Sequence, residues 1–600
     1  MNQAAIFYRA TREFILPVSR QDLFIRLTAA RSDIRECRVI FWKRNQTDSA
    51  SVRFSDMKVA YRDAVHDDFR TVISFPEPVH YIKYYFELID FAGDIRFLSE
   101  NGLSDEKPAD GFFEFLYVNT ADVFSVPEWA KGIIYYQIFP DRFYRSQNAP
   151  ESSRLVHWNS FPEQDNYFGG DLRGIIEKFD YLKELGTECI YLTPIFKAEF
   201  NHKYATTDYF TVDPAFGTLT DLQDLVKLAH SNGIKIILDG VFNHVGRSFP
   251  QFSDLLDRGK NSSYKEWFYP SDFPLTSNPL NYECVGDYPY MPKLRTAHPD
   301  VRNFILSVMI YWIEQTGIDG WRLDVADEME MSTLQTIRMV LKEKYPDILL
   351  LGETWGDAFR LVGNGDQMDS AMNYLFRNAV LDWIAKGKIR ATDFDRRINQ
   401  LLSKYNDLTN SVMYNLIGSH DTARFLSEAG ENKNKLKLAA AFQMTFCGSP
   451  AVYYGDEIGM SGENDPGCRA GMIWDQESQD RDLFQWYRCF IELRKAHPAL
   501  RKGTFRSNFC DDEKNIYGFI RQTSDEALFV LMNNSENCSE IILPVPDRDA
   551  EYRELFSSMI RRPEPLQDGI TFYNQEITEY QGQLSIPIDA YSVQIYKKEK

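Results

Sequence analysis

Four short segments of this 600-residue chain each run from apolar residues into acidic or imidazole side chains. They are KIILDGVFNH (235–244), GWRLDVADE (320–328), ILLLGETW (348–355) and NLIGSHD (415–421). If these apolar runs are neighbouring parallel strands, their carboxyl ends meet at one rim, where barrel enzymes carry their catalytic groups. The pattern therefore indicates an enzyme whose site gathers Asp239, Arg322, Asp324, Glu353, His420 and Asp421.

The carboxyl groups of Asp324 and Glu353 follow consecutive predicted strands. Cleavage of a glycosidic bond with retention of configuration needs two carboxyl groups about 5–5.5 Å apart, a spacing that neighbouring barrel strands can provide. Arg322 lies two residues before Asp324 on the same strand face, so its charge is expected to keep Asp324 ionised and nucleophilic. Apolar neighbours and Trp355 are expected to raise the pKa of Glu353, which would then act first as an acid and later as a base.

Acidic residues at strand ends can also serve as caps or ion-pair partners, and that interpretation stays open for any one of them alone. The clustering of four acids (Asp239, Asp324, Glu353 and Asp421) with His244 and His420 favours a catalytic site. A metallohydrolase is a weaker alternative, since the sequence has no HExxH motif.

Composition excludes several functional classes. No apolar run approaches the roughly 18 residues of a membrane span, and the formal net charge of −20 argues against a nucleic-acid partner. The eight cysteines form no CxxC pair, which predicts reduced thiols. The N-terminal residues lack the pattern of a secretory signal. The sequence therefore predicts a cytoplasmic enzyme that acts on a small neutral substrate.

Eight buried strands alternate with helical segments in the middle of the chain. Most of these strands are apolar on both faces, as strands in a closed parallel barrel must be. Helical segments such as DLRGIIEKFDYLKELG and DLQDLVKLAHSNG each begin with an aspartate in a capping position and end at glycine. The predicted strands are 133–139, 189–195, 235–241, 320–325, 348–353, 371–376, 413–419 and 451–458.

The predicted fold class is α/β, a (β/α)8 TIM barrel with an inserted subdomain after strand 3, flanked by N-terminal and C-terminal β-sandwich domains. Short alternating segments predict the first sandwich at residues 1–125. The barrel is expected at 126–505, with the insertion at about 244–298, because that interval is too long for an ordinary βα loop. Alternating segments return in the last predicted domain, residues 506–600.

The segments DGVFNH, GWRLDVADE, GETW and SHD resemble the four signature segments of the α-amylase superfamily, glycoside hydrolase family 13. Four further segments resemble its neopullulanase, cyclomaltodextrinase and maltogenic amylase subgroup, and the likeness covers nearly the whole chain. They are YQIFPDRF (136–143), NHKYATTDYF (201–210), MPKLRTAHPDVR (291–302) and DEIGMSGENDPGCR (456–469).

The resemblance implies three catalytic acids: Asp324 as nucleophile, Glu353 as acid/base and Asp421 as the acid that grips hydroxyls of a distorted sugar. It also implies a set of substrate-binding residues. His244 and His420 would donate hydrogen bonds, Tyr204 would form a platform with His202 beside it, Asp465 and Arg469 would clamp the next sugar, Asp239 would steady Arg322, and Glu328 and Trp355 would face the leaving-group side. A packed loop tyrosine and a loop ion pair remain the alternatives for Tyr204 and for Asp465 with Arg469.

The sequence also departs from the subgroup. The subgroup usually has VANE where this chain has Val325, Ala326, Asp327 and Glu328, and Arg295 replaces a usual asparagine. Many relatives hold calcium after the first barrel strand, whereas YRSQNAPESS (144–153) offers few acidic oxygens. Only a weak calcium site is expected, from Asn148, Gly169 and Asp171 with Glu151 nearby, and the chemistry itself needs no cofactor.

The resemblance implies a retaining hydrolase of α-1,4 bonds, with α-1,6 bonds as a further target, in cyclomaltodextrins, maltooligosaccharides or pullulan, accompanied by some transglycosylation. It also implies a homodimer formed through the N-terminal domain. A dedicated α-glucanotransferase or α-1,6-glucosidase on the same scaffold is one alternative. A catalytically silent carbohydrate-binding protein is another.

Overall fold

The computed structural model describes residues 1–46, 51–147, 149, 152–544, 552–558 and 583–599, with the side chains of 543, 544 and 583–585 excepted. The chain forms two compact units. One comprises Met1–Val126, Val362–Asp366 and Thr392–Asn410, and the other comprises Pro127–Leu361, Gln367–Ala391 and Ser411–Lys600. No α-helix in the described part of the chain is both long enough and apolar enough to cross a membrane.

The first unit is built on an antiparallel sheet whose two halves meet at the strand Arg53–Arg62. This strand pairs with Ile34–Lys43 on one side and with His66–Ser74 on the other. Alternating apolar side chains from both halves fill the core between them, which confirms the predicted N-terminal sandwich. Its strands are Ile15–Pro17, Asp22–Ala30, Ile34–Lys43, Arg53–Arg62, His66–Ser74, His80–Asp90, Ile95–Ser99, Gly102–Ser104 and Phe113–Tyr117.

Two helices that follow the sixth barrel strand, Ala391–Lys404 and Asp407–Val412, group mainly with this first unit. The buried guanidinium of Arg70 donates to Asp407 Oδ1 at 2.7 Å and to the Ser403 carbonyl at 3.1 Å. Charge-assisted bonds of this kind hold the helical pair against the sandwich strand His66–Ser74.

The second unit contains the predicted barrel. Eight parallel strands form one sheet. A parallel bridge between Met372 and Tyr414 joins the two end strands of that sheet, the sixth and seventh along the chain, and so closes the barrel. The structure therefore confirms the (β/α)8 fold. The barrel strands are Tyr135–Ile138, Cys189–Leu192, Lys235–Gly240, Gly320–Leu323, Leu349–Gly352, Ser370–Ala371, Tyr414–Leu416 and Ser449–Tyr453.

Helices and one hairpin surround the barrel strands. The hairpin pairs Phe196–Ala198 with Thr206–Val212, and the segment Leu381–Ala385 forms a π-helical turn. The α-helices are Pro140–Phe143, Leu172–Glu177, Phe179–Leu185, Leu219–Ser231, Pro250–Arg258, Pro299–Thr316, Met331–Lys344, Phe359–Val362, Tyr374–Val380, Phe425–Glu428, Lys433–Thr445, Arg481–Ala496 and Pro498–Lys502.

Helix boundaries were only partly predicted. Asp171 caps Leu172–Glu177 by accepting from the Gly174 amide, as expected. The prediction that Asp221 opens the next long helix was wrong, because that helix begins at Leu219. Thr218 is its N-cap, and Asp221 completes a reciprocal capping box with Thr218.

The sixth predicted strand, 371–376, was also wrong over most of its length. Only Ser370–Ala371 is strand. The Asn373 side chain accepts a hydrogen bond from the Phe376 amide and so starts the helix Tyr374–Val380. Because Asn373 caps a helix, the backbone after it turns into that helix and does not continue the strand. The apolar residues that follow then form the buried face of the helix.

The expected insertion lies between the third barrel strand and Pro299–Thr316. It contains the helix Pro250–Arg258 and is tied to the barrel by the isolated bridge between His244 and Lys293. Beyond the barrel, two antiparallel sheets pack through Ile541 and Ile586, which confirms the C-terminal sandwich. Its strands are Thr504–Asp511, Ile516–Gln522, Ala527–Asn533, Ser539–Pro544, Tyr552–Ser557, Gln583–Ile588 and Ser592–Lys598.

The fully buried guanidinium of Arg494 ties the helix Arg481–Ala496 to neighbouring backbone. It donates to four main-chain carbonyl groups and no carboxylate among the described residues. The acceptors are Gly132 O (3.1 Å), Met444 O (2.7 Å), Phe446 O (2.8 Å) and Gly448 O.

We expect Arg494→Met to destabilise the second unit strongly. The substitution leaves buried carbonyl oxygens without donors, at about 1–3 kcal/mol each, so a loss of roughly 3 kcal/mol or more in unfolding free energy should follow. The check is the thermal unfolding midpoint at one fixed scan rate. Arg481→Met, at an exposed position of the same helix, is the control, and equal midpoints for the two variants would contradict the expectation.

Candidate active site

Strand register brings two carboxyl groups to the same level of the barrel rim. Leu323 lies opposite Gly352 in the parallel pairing of neighbouring strands. Asp324 and Glu353 are the next residues along those strands, so their side chains leave the sheet side by side. Both carboxyl groups are more than nine-tenths buried.

The completely buried guanidinium of Arg322 contacts three carboxylates. Its Nη1 donates to Asp239 Oδ1 at 2.9 Å and to Asp324 Oδ1 at 2.8 Å. Its Nη2 lies 2.8 Å from Glu353 Oε2. Because one planar cation touches Asp324 and Glu353 at once, these two carboxyl groups border the same small volume.

Burial weakens the acidity of this cluster. Burial raises the pKa of Glu353, with Arg322 lowering it and Asp421 raising it. Burial also raises the pKa of Asp324, against the opposing charge of Arg322, and brings the pKa of Asp239 to about 6. Several buried carboxylates around one cation cannot all ionise together, so the site holds a proton near neutral pH.

The sequence predicted that Arg322 interacts with Asp324 alone, whereas its guanidinium also contacts Glu353. The two contacts differ in kind. Asp324 accepts a hydrogen bond from Nη1, while the contact to Glu353 lacks hydrogen-bond geometry and leaves Nη2 without a hydrogen-bond acceptor among the described residues. Glu353 in turn accepts the Val325 amide at 2.9 Å. Hydrogen bonding favours the charged form of its acceptor, so each of the two acids has one bond that favours its ionised form.

Tyr204 and His420 pack against each other beside the acids. Their rings stack at 5.5 Å with an interplanar angle of 5°, and the Tyr204 hydroxyl contacts His420 Nε2 at 2.5 Å and Asp239 Oδ2 at 3.0 Å. Gln137 Nε2 lies 2.6 Å from His420 Nδ1. Sequence reasoning missed Gln137, although a lone amide in the apolar strand Tyr135–Ile138 was a usable signal.

His244 and His202 are neutral near pH 7. Burial lowers the pKa of His244 to about 4 and that of His202 to about 3. His244 Nε2 lies 3.9 Å from Asp324 Oδ2, and neither ring nitrogen of His244 has a hydrogen-bond partner among the described residues. His202 stacks on Tyr204 at 5.8 Å. His244 therefore has unused hydrogen-bonding capacity at the predicted nucleophile.

Arg469 joins the remaining predicted residues on one wall. Its Nη2 donates to Asp421 Oδ1 at 3.1 Å and its Nη1 lies 2.8 Å from Asp465 Oδ1. Its Nε donates to the His420 carbonyl at 2.7 Å. The predicted clamp residues thus pair with each other and also orient Asp421.

The two residues predicted for the leaving-group side differ in position. Trp355 is 53% exposed and stacks on Tyr374 at 4.4 Å. Glu328 instead pairs with Lys293 at 2.6 Å and accepts from Asn243 at 3.3 Å. Trp355 lines the cavity above the acids, whereas Glu328 is not part of that lining.

A cavity of about 920 Å³ opens above the paired carboxyl groups. Its walls carry aromatic side chains from the insertion, including Tyr288 and Tyr290, which sequence reasoning did not single out. The predicted residues that line it are His202, Tyr204, His244, Asp324, Glu353, Trp355, Asp421, Asp465 and Arg469. Asp239, Arg322 and His420 lie beneath this floor as buried supports.

The described residues do not form a fitting calcium site. Asp171 uses one oxygen to accept from the Gly174 amide at 2.6 Å and the other to accept from the Ser146 hydroxyl at 2.7 Å. No group of three acidic, histidine or cysteine side chains within the described ranges could hold a metal ion. Asn148 and Glu151 lie outside the described residues, so calcium binding stays a prediction.

Val325, directly after Asp324, has a left-handed backbone conformation with φ 46° and ψ 46°. Such a conformation is rare for a β-branched residue and costs energy. It directs the Val325 amide to Glu353 Oε2, 2.9 Å away. The strained residue therefore links the two acids through the backbone, a feature that no sequence pattern revealed.

Comparison with known proteins gives a consistent result over the whole chain. A family model described as the α-amylase catalytic domain matches residues 137–478. The N-terminal ig-like domain of α-amylases matches residues 1–119, and their C-terminal all-beta domain matches residues 507–599.

Individual relatives carry three related names. Neopullulanase 2 of Thermoactinomyces vulgaris is 40% identical, over 90% of this chain and 93% of its own. Cyclomaltodextrinase of Thermoanaerobacter pseudethanolicus is 39% identical, over 90% and 94%, and maltogenic alpha-amylase of Bacillus acidopullulyticus is 36% identical, over 93% and 96%. A solved cyclomaltodextrinase structure superposes with a TM-score of 0.91 at 35% identity, covering all of both chains.

The strain at Val325 predicts an inverted stability order. In ordinary conformations alanine is more stabilising than glycine, but a left-handed conformation costs an L-residue roughly 1–2 kcal/mol that glycine avoids. We expect Val325→Gly to be more stable than Val325→Ala by about 1 kcal/mol, measured by chemical unfolding. A more stable Val325→Ala variant would show that the residue is not held in this conformation.

Proposed function

The chain belongs to the α-amylase family of glycoside hydrolases, and we propose that it is a retaining α-glucan hydrolase. It would cleave α-1,4-glucosidic bonds, with α-1,6 bonds as a further target, in cyclomaltodextrins, maltooligosaccharides or pullulan. The reaction would pass through a covalent glycosyl–aspartate intermediate, with some transglycosylation. The observation that carries this proposal is the single guanidinium of Arg322 in contact with both Asp324 and Glu353 at the floor of an open cavity.

In the first step, an Asp324 carboxylate oxygen attacks the anomeric carbon while Glu353 gives its proton to the glycosidic oxygen, so the sugar bond breaks as the aspartyl ester forms. The raised pKa of Glu353 supports its role as acid. In the second step, Glu353 takes a proton from water, which attacks the same carbon and releases Asp324. Two inversions leave the configuration retained.

Neighbouring residues would bind the sugar at the bond that breaks. Asp421, oriented by Arg469, would accept hydrogen bonds from hydroxyl groups that tighten as the oxocarbenium-like transition state forms, an effect worth several kcal/mol. His244 offers unpaired ring nitrogens, and Tyr204, which lines the cavity, provides a flat ring face.

A dedicated glucanotransferase is the second candidate, because the exposed ring of Trp355 could hold an acceptor sugar. An α-1,6-glucosidase would share the same acids. Product analysis separates these activities: a pure transferase releases little new reducing sugar from maltooligosaccharides, and an α-1,6-glucosidase spares linear α-1,4 chains. A silent binding protein would show no turnover at all.

We also propose a homodimer formed through the N-terminal domain, supported by the family resemblance and by exposed apolar side chains such as Phe54 and Leu116 in that domain. A cytoplasmic location and a chemistry without any cofactor remain proposals of the same kind. Two carboxyl groups suffice for glycosyl transfer.

We expect Glu353→Gln to lower kcat on γ-cyclomaltodextrin and maltoheptaose by about 10²–10⁴-fold, because a general acid contributes that much. The loss in kcat/KM should be smaller on a maltoside with an activated phenol, whose departure needs no proton, whereas kcat should stay low because Glu353 is also the base of the second step. Initial rates on the three substrates test both points.

Glu328→Gln is the matched control, since Glu328 lies outside the cavity lining and should leave kcat within about tenfold. Undiminished turnover of γ-cyclomaltodextrin by Glu353→Gln would refute the catalytic assignment and, with it, the proposed mechanism.

The charge of Asp421 should be visible in the pH profile. Asp421 raises the pKa of Glu353, and the acid form of Glu353 is lost as pH rises through that pKa. Asp421→Asn removes the negative charge, so the pKa falls and the alkaline limb of kcat/KM should move to lower pH. The loss of sugar contacts should also reduce kcat by about 10²–10⁴-fold. An alkaline limb that stays in place would mean that Glu353 does not sense Asp421.

A further inference from the structure

A second cavity, of about 750 Å³, lies between the loop after the first barrel strand and the loop after the eighth. Tyr144, Trp158 and Trp474 contribute its aromatic walls. None of the residues assigned to the candidate active site lines it, so its role needs a separate explanation.

The two indole rings are held in fixed positions. Trp158 Nε1 donates to the Met472 carbonyl at 2.9 Å, and Trp474 Nε1 donates to the Phe143 carbonyl at 2.5 Å. Trp474 also packs edge-on against Tyr144 at 5.7 Å. Lys178 Nζ already lies 4.7 Å over the Trp474 ring. Trp158, whose polar atom is bound within the protein, is therefore the indole left as a rigid stacking platform for a ligand.

Polar groups with unused capacity surround these rings. The side-chain amide of Asn159 and the hydroxyl groups of Ser160 and Ser461 make no hydrogen bond to other described residues, although all three residues line the cavity. The charged groups are already engaged: Arg145 donates to the carbonyls of Phe168 and Val156, and Asp475 accepts from the Ser478 hydroxyl at 2.6 Å. A ligand with flat apolar faces, many hydroxyl groups and no net charge fits this combination.

One loop contributes residues to both this cavity and the wall of the candidate active site. Asp465 and Arg469 line the first cavity, and Met472 and Trp474, a few residues later on the same loop, line the second. The loop backbone between them is fixed, since Arg142 donates to the Arg469 carbonyl at 2.7 Å and accepts the Met472 amide at 2.8 Å through its own carbonyl.

From this geometry we infer that the cavity around Trp158 and Trp474 is a second, non-catalytic binding site for a neutral α-glucan oligosaccharide. The identity of the sugar rests on the proposed function, whereas the existence of the site rests on the cavity. One sugar unit stacks on Trp158, and its hydroxyl groups bond to Asn159, Ser160 and Ser461.

The test is calorimetric titration of the full-length Glu353→Gln variant with maltoheptaose. We expect two binding events per chain in this background. After the further substitution Trp158→Ala, binding at the second site should weaken at least tenfold, so that one event remains in the measured range. Trp158→Phe, which keeps an aromatic face, should retain both events. The same Trp158→Ala change in the active chain should leave kcat on an aryl maltoside unchanged.

Trp486→Ala is the matched control, because this indole also donates to a carbonyl, that of Lys437, but lies outside the cavity. It should leave two binding events. If Trp158→Ala impairs folding, the double variant Asn159→Ala and Ser160→Ala replaces it and should weaken the second event alone.

A single binding event in the Glu353→Gln background, or two undiminished events after Trp158→Ala, would overturn the inference. A change in sedimentation coefficient on Trp158→Ala without a change in sugar stoichiometry would assign the cavity to a second copy of the chain and overturn it equally. These failures differ from failure of the proposed function, which would appear as undiminished turnover by Glu353→Gln.

Discussion

One buried cation organises the candidate site. Arg322 has no exposed surface and contacts carboxylates that leave three consecutive barrel strands, those of Asp239, Asp324 and Glu353. A buried guanidinium without such partners would be very costly, and the carboxylates without it would repel one another. Each group is therefore stable only where the others are, so the alignment of these three strands and the assembly of the site depend on the same contacts.

This dependence explains why the surrounding residues support the acids and are themselves buried. Tyr191 donates to Asp239 Oδ2 at 2.6 Å and Tyr204 donates to the same oxygen at 3.0 Å, so the supporting carboxylate is saturated and cannot turn away from Arg322. The positions of Asp324 and Glu353 are thereby fixed before any sugar binds. Preorganised charges of this kind need little rearrangement when charge develops in a transition state.

The sequence predicted those parts of the site that depend on strand register. Asp324, Glu353 and Asp421 could be placed on one rim because parallel strands share a direction. It did not predict the left-handed conformation of Val325 or the contact of Arg322 with Glu353, since both arise from packing between strands. It misjudged 371–376 because an apolar run has the same composition in a strand as in a helix, and only the cap at Asn373 distinguishes the two.

The loop after the eighth strand shows how one constraint can serve two surfaces. Arg424 donates to the carbonyls of Tyr454 and Cys468 and pairs with Asp456 at 2.7 Å, which fixes the loop from below. Arg469 can then face the catalytic cavity while Trp474 faces the second one. A flexible loop could not hold both walls, because each ligand would have to order it anew at a cost in conformational entropy. The buried arginine contacts make that cost part of folding, so both surfaces are formed before either ligand arrives.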